Sequence, residues 1–125
     1  MYPRESVGPV YNKEKYPDSF KKYFIYGGNN KLPVSSDSLR IFNVVGQSYG
    51  YLSDCAYIVD FKNKIEFMLS AVIYVNKDDI INDNKYEYKE VGFPFLLDLS
   101  NAIYTFEKTR KRQYEPRLDE FKIAR

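Results

Sequence analysis

The sequence predicts an α+β domain: a small antiparallel sheet of about three to four strands with one long C-terminal helix packed on a single face. Two observations carry this reading. The apolar runs Asp54 to Phe61 and Ile65 to Val75 are joined only by Lys62-Asn63-Lys64, so they form an antiparallel hairpin. Beyond Pro94 the apolar period changes: Phe95, Leu96, Leu99, Ala102, Ile103 and Phe106 recur at three- and four-residue steps, which is one face of a helix. Strands first and a helix last make a layered α+β arrangement. Thirteen Tyr and nine Phe without a Trp agree with it, because aromatic side chains favour strands.

Residues 1–38 read as an irregular arm punctuated by Pro3, Pro9 and Pro17, with a short strand near 22–26 that ends at Gly27-Gly28-Asn29-Asn30. Leu39 to Val45 is the first long strand, and Gly46 and Gly50 bracket a bend or bulge before Tyr51. Residues 39–114 form the sheet and helix. Asn76 to Glu90, rich in Asp, Asn and Lys, is a surface loop. Pro94 sits where a first helical turn tolerates proline, and Lys108, Arg110, Lys111 and Arg112 complement the dipole at the far end. Pro116 closes the helical region, and 115–125 is a tail, loose or with one short turn.

Composition excludes several function classes. A chain of 125 residues holds one domain, and 44% hydrophobic with 29% charged residues is globular usage. Nineteen basic against seventeen acidic residues leave a net charge of +2, which gives no one-signed field for nucleic acid or an acidic membrane. There is no His, hence no imidazole base or ligand, and the single Cys55 permits neither an internal disulfide nor a thiolate zinc cage. Cys55 reads as a buried, inert thiol in an apolar strand. No cofactor and no metal is expected. No apolar run approaches the ~20 residues of a membrane helix, and no signal layout opens the chain. Expressed as written, it is expected to stay in the cytoplasm.

The stretch Asn43-Val44-Val45-Gly46-Gln47-Ser48-Tyr49-Gly50-Tyr51-Leu52-Ser53-Asp54 resembles the Lys-Thr/Ser-Gly motif strand, and the turn after it, of class A β-lactamases and penicillin-binding-protein-like serine hydrolases. The likeness extends over roughly residues 39 to 112, through the hairpin and the helix Phe95 to Arg112. It implies a partial β-lactamase/transpeptidase-like fold, a parent that performs acyl transfer through a serine ester and is typically exported, and a substrate strand formed by Val44, Val45, Gly46 and Gln47 with Tyr49 at its mouth.

Two departures qualify what that implies. Val44 stands where the family has its motif lysine and offers no cationic donor. The family's Ser-x-x-Lys nucleophile has a single echo, Ser19-Phe20-Lys21-Lys22, ahead of a strand-like run and without the helical subdomain the family places after it; it reads as coincidence. Ser36-Asp37-Ser38 echoes Ser-Asp-Asn but reads as a turn. The expectation is therefore a truncated C-terminal fragment, catalytically inactive alone, with no catalytic residue of its own. Strands of the missing N-terminal half would pair beside Ile65–Val75, so the isolated chain is expected to form a homodimer or otherwise self-associate through strand 65–75 or through the exposed apolar face, or else to aggregate. The alternative is a small non-enzymatic binding module that self-associates through its sheet edge.

Three further groupings have plain readings. Asp78, Asp79, Asn82, Asp83, Asn84 and Glu87 lack the central Gly of a calcium loop and read as a solvated turn. The basic run Lys108 to Arg112 has Glu107 and Glu115 beside it and reads as a helix terminus. The tyrosines of the strands read as sheet packing, with Tyr49 and Tyr51 as the best candidates for ligand contact.

Overall fold

A computed structural model describes residues 2, 5–29 and 38–122. Three strands, β1 (Leu39–Ser48), β2 (Tyr51–Asp60) and β3 (Ile65–Tyr74), make one antiparallel sheet in the order β1-β2-β3. One long helix, α1 (Phe93–Thr109), follows them. The α+β class and the hairpin are those the sequence predicts, with three strands.

Both strand connections are set by local chemistry. Ser48 faces Tyr51, so Tyr49 and Gly50 are a two-residue loop, and both have positive φ (49° and 88°). That is the mirror-image turn whose twist suits a hairpin. Gly50 also has no room for a side chain, since a Cβ there would lie 2.8 Å from the Asn76 Cβ. Gly46 makes no bulge; β1 runs straight through it, paired with Ser53. Between β2 and β3, Asp60 accepts the Asn63 N–H (3.0 Å) and side-chain amide (2.6 Å), and Lys64 takes φ 52° to re-enter the sheet.

Cross-strand partners share a face, which sorts the side chains into two sets. On one face Ile41, Leu52, Ala56 and Ile58 are buried, with Phe67, Leu69 and Ile73 packed beside them. Leu96 of α1 covers this face, as do Tyr23, Phe24 and Tyr26 of the preceding arm. Fully buried side chains such as Leu52, Ile58 and Leu96 contribute roughly 1.5–3 kcal/mol each relative to exposure. Tyr104 stacks on Phe67 with centroids 6.3 Å apart and donates to Asp60, fixing α1 over β3.

Several expectations change. Residues 22–26 are a turn, not a strand. The Tyr23 and Phe24 N–H groups go to the Asp54 carboxylate, and Ile25, with φ 67°, donates to the Ser100 hydroxyl at 2.8 Å, so no ladder can form there. The helix begins at Phe93 and ends at Thr109, well before Pro116, because the Arg110 backbone turns extended (ψ 124°). The end of the expected loop tightens into a wide turn over Tyr88–Gly92 that leads directly into α1, and the tail carries a single 3-10 turn at Asp119–Phe121.

Cys55 is exposed rather than buried, because its register position opposite Val44 and Ser70 puts it on the face away from α1. That outer face is half covered. Arg40 donates to the Glu5 carboxylate and to the Phe121 carbonyl, while the rings of Tyr2 and Phe121 lie 6.1 and 5.8 Å from that of Phe42. The other half, with Val44, Tyr51, Met68, Val72 and Tyr74, is bare.

Candidate functional site: the free edge of β1

Among the described residues β1 pairs only with β2, so its other side is an edge. The Ile41 N–H leaves the sheet on that side and donates to the Tyr2 hydroxyl at 2.6 Å. Antiparallel ladders alternate, so the main-chain groups of Asn43, Val45 and Gln47 face outward as well. The first half of the edge is occupied by the arm: Tyr2 sits at Ile41, and the Asn43 side-chain amide donates to the Lys21 carbonyl at 2.9 Å. The second half, Val45 to Gln47, presents its main chain to no other strand among the described residues.

The five residues of the expected substrate strand fall on this second half but not on one surface. Val44 is 78% exposed and points to the bare outer face, opposite Cys55. Val45 points to the core face and packs against the core cluster. Gly46 lies opposite Ser53, whose Oγ would stand 2.6 Å from an added Cβ, so a side chain there would make the Ser53 hydroxyl rotate away. Gln47 accepts from the Tyr23 hydroxyl at 3.4 Å, and Tyr49 is half exposed in the turn. The Tyr49-Gly50 turn is held from below by Tyr88, whose hydroxyl accepts the Gly50 N–H at 2.8 Å.

Beneath the edge is a polar cluster that sequence reasoning missed. Asp54 is 1% exposed, accepts the N–H groups of Tyr23 (3.0 Å) and Phe24 (3.1 Å), and takes a third bond from the Asn43 amide (3.0 Å). Burial raises its carboxyl above the ordinary value, and these three bonds pull in the opposite direction. The Lys22 ammonium donates to the Asn43 Oδ1 at 3.2 Å and sits 4.6 Å from the centre of the Tyr2 ring. Burial pushes Lys22 down to about 8, against the attraction of Asp54 and Asp18. The available signal was Asn43 and Asp54, polar residues in the middle of core-facing rows where their neighbours are Ile41 and Val45, and Leu52 and Ala56.

Ser19 and Lys22 belong to a turn, with the Lys22 N–H donating to the Ser19 carbonyl at 3.2 Å. Ser19 is fully buried, and its Oγ has no hydrogen-bond partner among the described residues. A nucleophile needs access to substrate, and this hydroxyl has none. Ser36 and Asp37 lie outside the described residues.

The remaining constellations are spent locally. Asp78, Asp83 and Glu87 accept the main-chain N–H groups of Ile80, Lys85 and Lys77, and among the described residues no three metal-ligating side chains converge. Arg110 and Arg112 both bind Glu107, and Lys108 lies over the Tyr104 ring. An open, mostly apolar hollow of about 460 Å³ between Tyr26, Gly28, Phe93 and Leu97 contains none of the substrate-strand residues. No described helix is long and apolar enough to cross a membrane. Comparison with protein-family models, with curated proteins and with solved structures gives no match to this chain.

Proposed function

We propose that the chain is the substrate-strand portion of a β-lactamase-like or D-alanyl-D-alanine carboxypeptidase-like serine hydrolase, catalytically silent by itself. The observation that carries this reading is the position of β1. The strand bearing Val44-Val45-Gly46-Gln47 is the outermost of the sheet, and among the described residues no other strand pairs with the outward main chain of Val45 and Gln47, so an extended acyl substrate has a ladder to join. β2, β3 and α1 follow in the order the resemblance requires.

Catalysis needs a nucleophile and a proton acceptor at that edge. Neither Val44 nor Gln47 supplies one, and Ser19 is sealed in the core. Val44 also leaves the edge without the cation that would hold a substrate carboxylate. The parent activity is acyl transfer through a serine ester, with the serine and its lysine contributed by other parts of the parent polypeptide.

Two measurements test this. Intact-mass analysis after incubation with benzylpenicillin should find no covalent adduct on the chain, and a nitrocefin assay should be blank. Acylation that Ser19→Ala abolishes would overturn the reading. The coding sequence 5′ to Met1 should contain an in-phase or frameshifted Ser-x-x-Lys, and a stretch without one would count against it equally.

A further inference from the structure

β3 is the opposite edge of the sheet, and its composition is unusual for one. Its ten residues carry a single charge, Glu66, and no proline, whereas exposed edges are ordinarily blunted by both. The Val75 N–H bonds the Gly50 carbonyl (2.7 Å), so odd-numbered residues of β3 face β2 and the main-chain groups of Glu66, Met68, Ser70, Val72 and Tyr74 face outward.

A second surface on the same flank is unpartnered among the described residues. At 100° per residue, the side of α1 holding Phe93, Leu97 and Ser100 meets the 25–28 segment, where a Cβ on Gly27 would touch Leu97 and the Ile25 N–H reaches Ser100. Phe95, Leu99, Ala102 and Phe106, at steps of four, three and four, form a stripe on the other side of the helix, with Phe95 and Phe106 43% and 58% exposed. Since α1 lies over β3, that stripe flanks the open strand edge.

We propose that a second copy of this chain docks on this flank about a two-fold axis through Ser70, pairing β3 with β3 antiparallel and laying the two α1 stripes against each other. A second copy fits better than a foreign strand because the edge is complementary to itself. Centring the pair on Ser70 sets Met68 opposite Val72 of the second copy and Glu66 opposite its Tyr74. The one charge of each strand therefore meets an aromatic ring carrying a hydroxyl, never its like, and the small Ser70 meets itself on the axis. The result is a six-stranded sheet with both helices on one face. Both surfaces belong to β3 and α1 and neither includes the β1 substrate strand, so the acylation result bears on neither.

The test is the mass of the full chain in solution with three variants. Light scattering at about 50 µM should give twice the 14.8 kDa chain mass. Ser70→Lys brings two ammonium groups together on the axis, and Phe106→Glu does the same with carboxylates on the helix stripe; each should raise the dimer dissociation constant at least tenfold. Both sites are exposed, so circular dichroism should match the parent. In a Cys55→Ser background, Ser70→Cys should oxidise to a covalent dimer, because the axial pair has Cα atoms about 5.5 Å apart, within disulfide range. A monomeric parent overturns the proposal, as does a dimer indifferent to both charge variants or one that Ser70→Cys fails to cross-link.

Discussion

The Asn43 side-chain amide bonds the Asp54 Oδ1 at 3.0 Å while its own oxygen accepts from Lys22, so one β1 residue joins a buried carboxylate to a buried ammonium. Asp54 uses its other oxygen to hold the Tyr23 and Phe24 N–H groups. The turn that closes the core over β1 and β2 therefore hangs on a carboxylate of β2.

Replacing that carboxylate leaves two main-chain donors and a cation in the core without their partner. Removing one member of such a buried set costs about 3–5 kcal/mol, so Asp54→Ala should be among the most damaging single substitutions in the chain. Asp54→Asn keeps one acceptor oxygen and should lose about half as much. Urea unfolding followed by tyrosine fluorescence checks both, and an Asp54→Ala loss under 1 kcal/mol would contradict the anchoring role.

The same cluster sets a pH dependence whose sign follows from Lys22. Burial lowers its pKa from 10.5 to about 8, so between pH 8 and 10.5 the unfolded chain binds the extra proton and stability rises with pH. Below pH 8 the penalty is fully present. The opposing groups act elsewhere: raised Asp54 reduces stability as pH climbs from about 3.8, and Tyr2, raised to about 12, does so above 10. Between pH 7.5 and 9.5 the melting temperature should increase in the parent and stay level in Lys22→Met. A parent melting temperature that is flat or falls across that window excludes a desolvated Lys22.

The legibility of this fold follows the range of the forces involved. The hairpin of β2 and β3 and the amphipathic α1 are written in local periodicity, so both could be read from sequence. The 22–26 turn could not. Its five residues are aromatic or β-branched apart from Lys22, a strand-like string, and what overrides that propensity is a carboxylate some thirty positions away. Cys55 was misplaced for a related reason: a single strand's composition does not say which of its two faces is covered. The edge character of β1, on which the site depends, required the strand order.

Tyr49 is the first residue of the hairpin turn and holds φ 49°, a region that costs a side-chain-bearing residue of its kind about 1 kcal/mol. Asn tolerates that conformation and Gly adopts it freely. Tyr49 is half exposed and belongs to none of the ring pairs of the sheet, so Tyr49→Asn should raise stability by about 0.5–1 kcal/mol with an unchanged circular dichroism spectrum. A loss of stability would mean that the Tyr49 ring contributes packing that outweighs the backbone strain.

Arg40 joins the two ends of the chain, with Glu5 and the Phe121 carbonyl on one guanidinium and the Tyr2 and Phe42 rings within 4.9 Å of it. Arg40 is 4% exposed, and its fork satisfies partners that a lysine ammonium cannot span. Arg40→Lys should therefore release both segments while leaving the β1-β2-β3 ladder in place. Limited trypsin digestion should cut it faster after Arg117 and Lys122, and after Lys13 and Lys15, with amide exchange in β2 unchanged. A loss of about 2 kcal/mol is the expected size for one broken charge-assisted pair in a partly buried setting. Exchange that speeds up uniformly through β2 instead would show that Arg40 supports the sheet itself rather than its two straps.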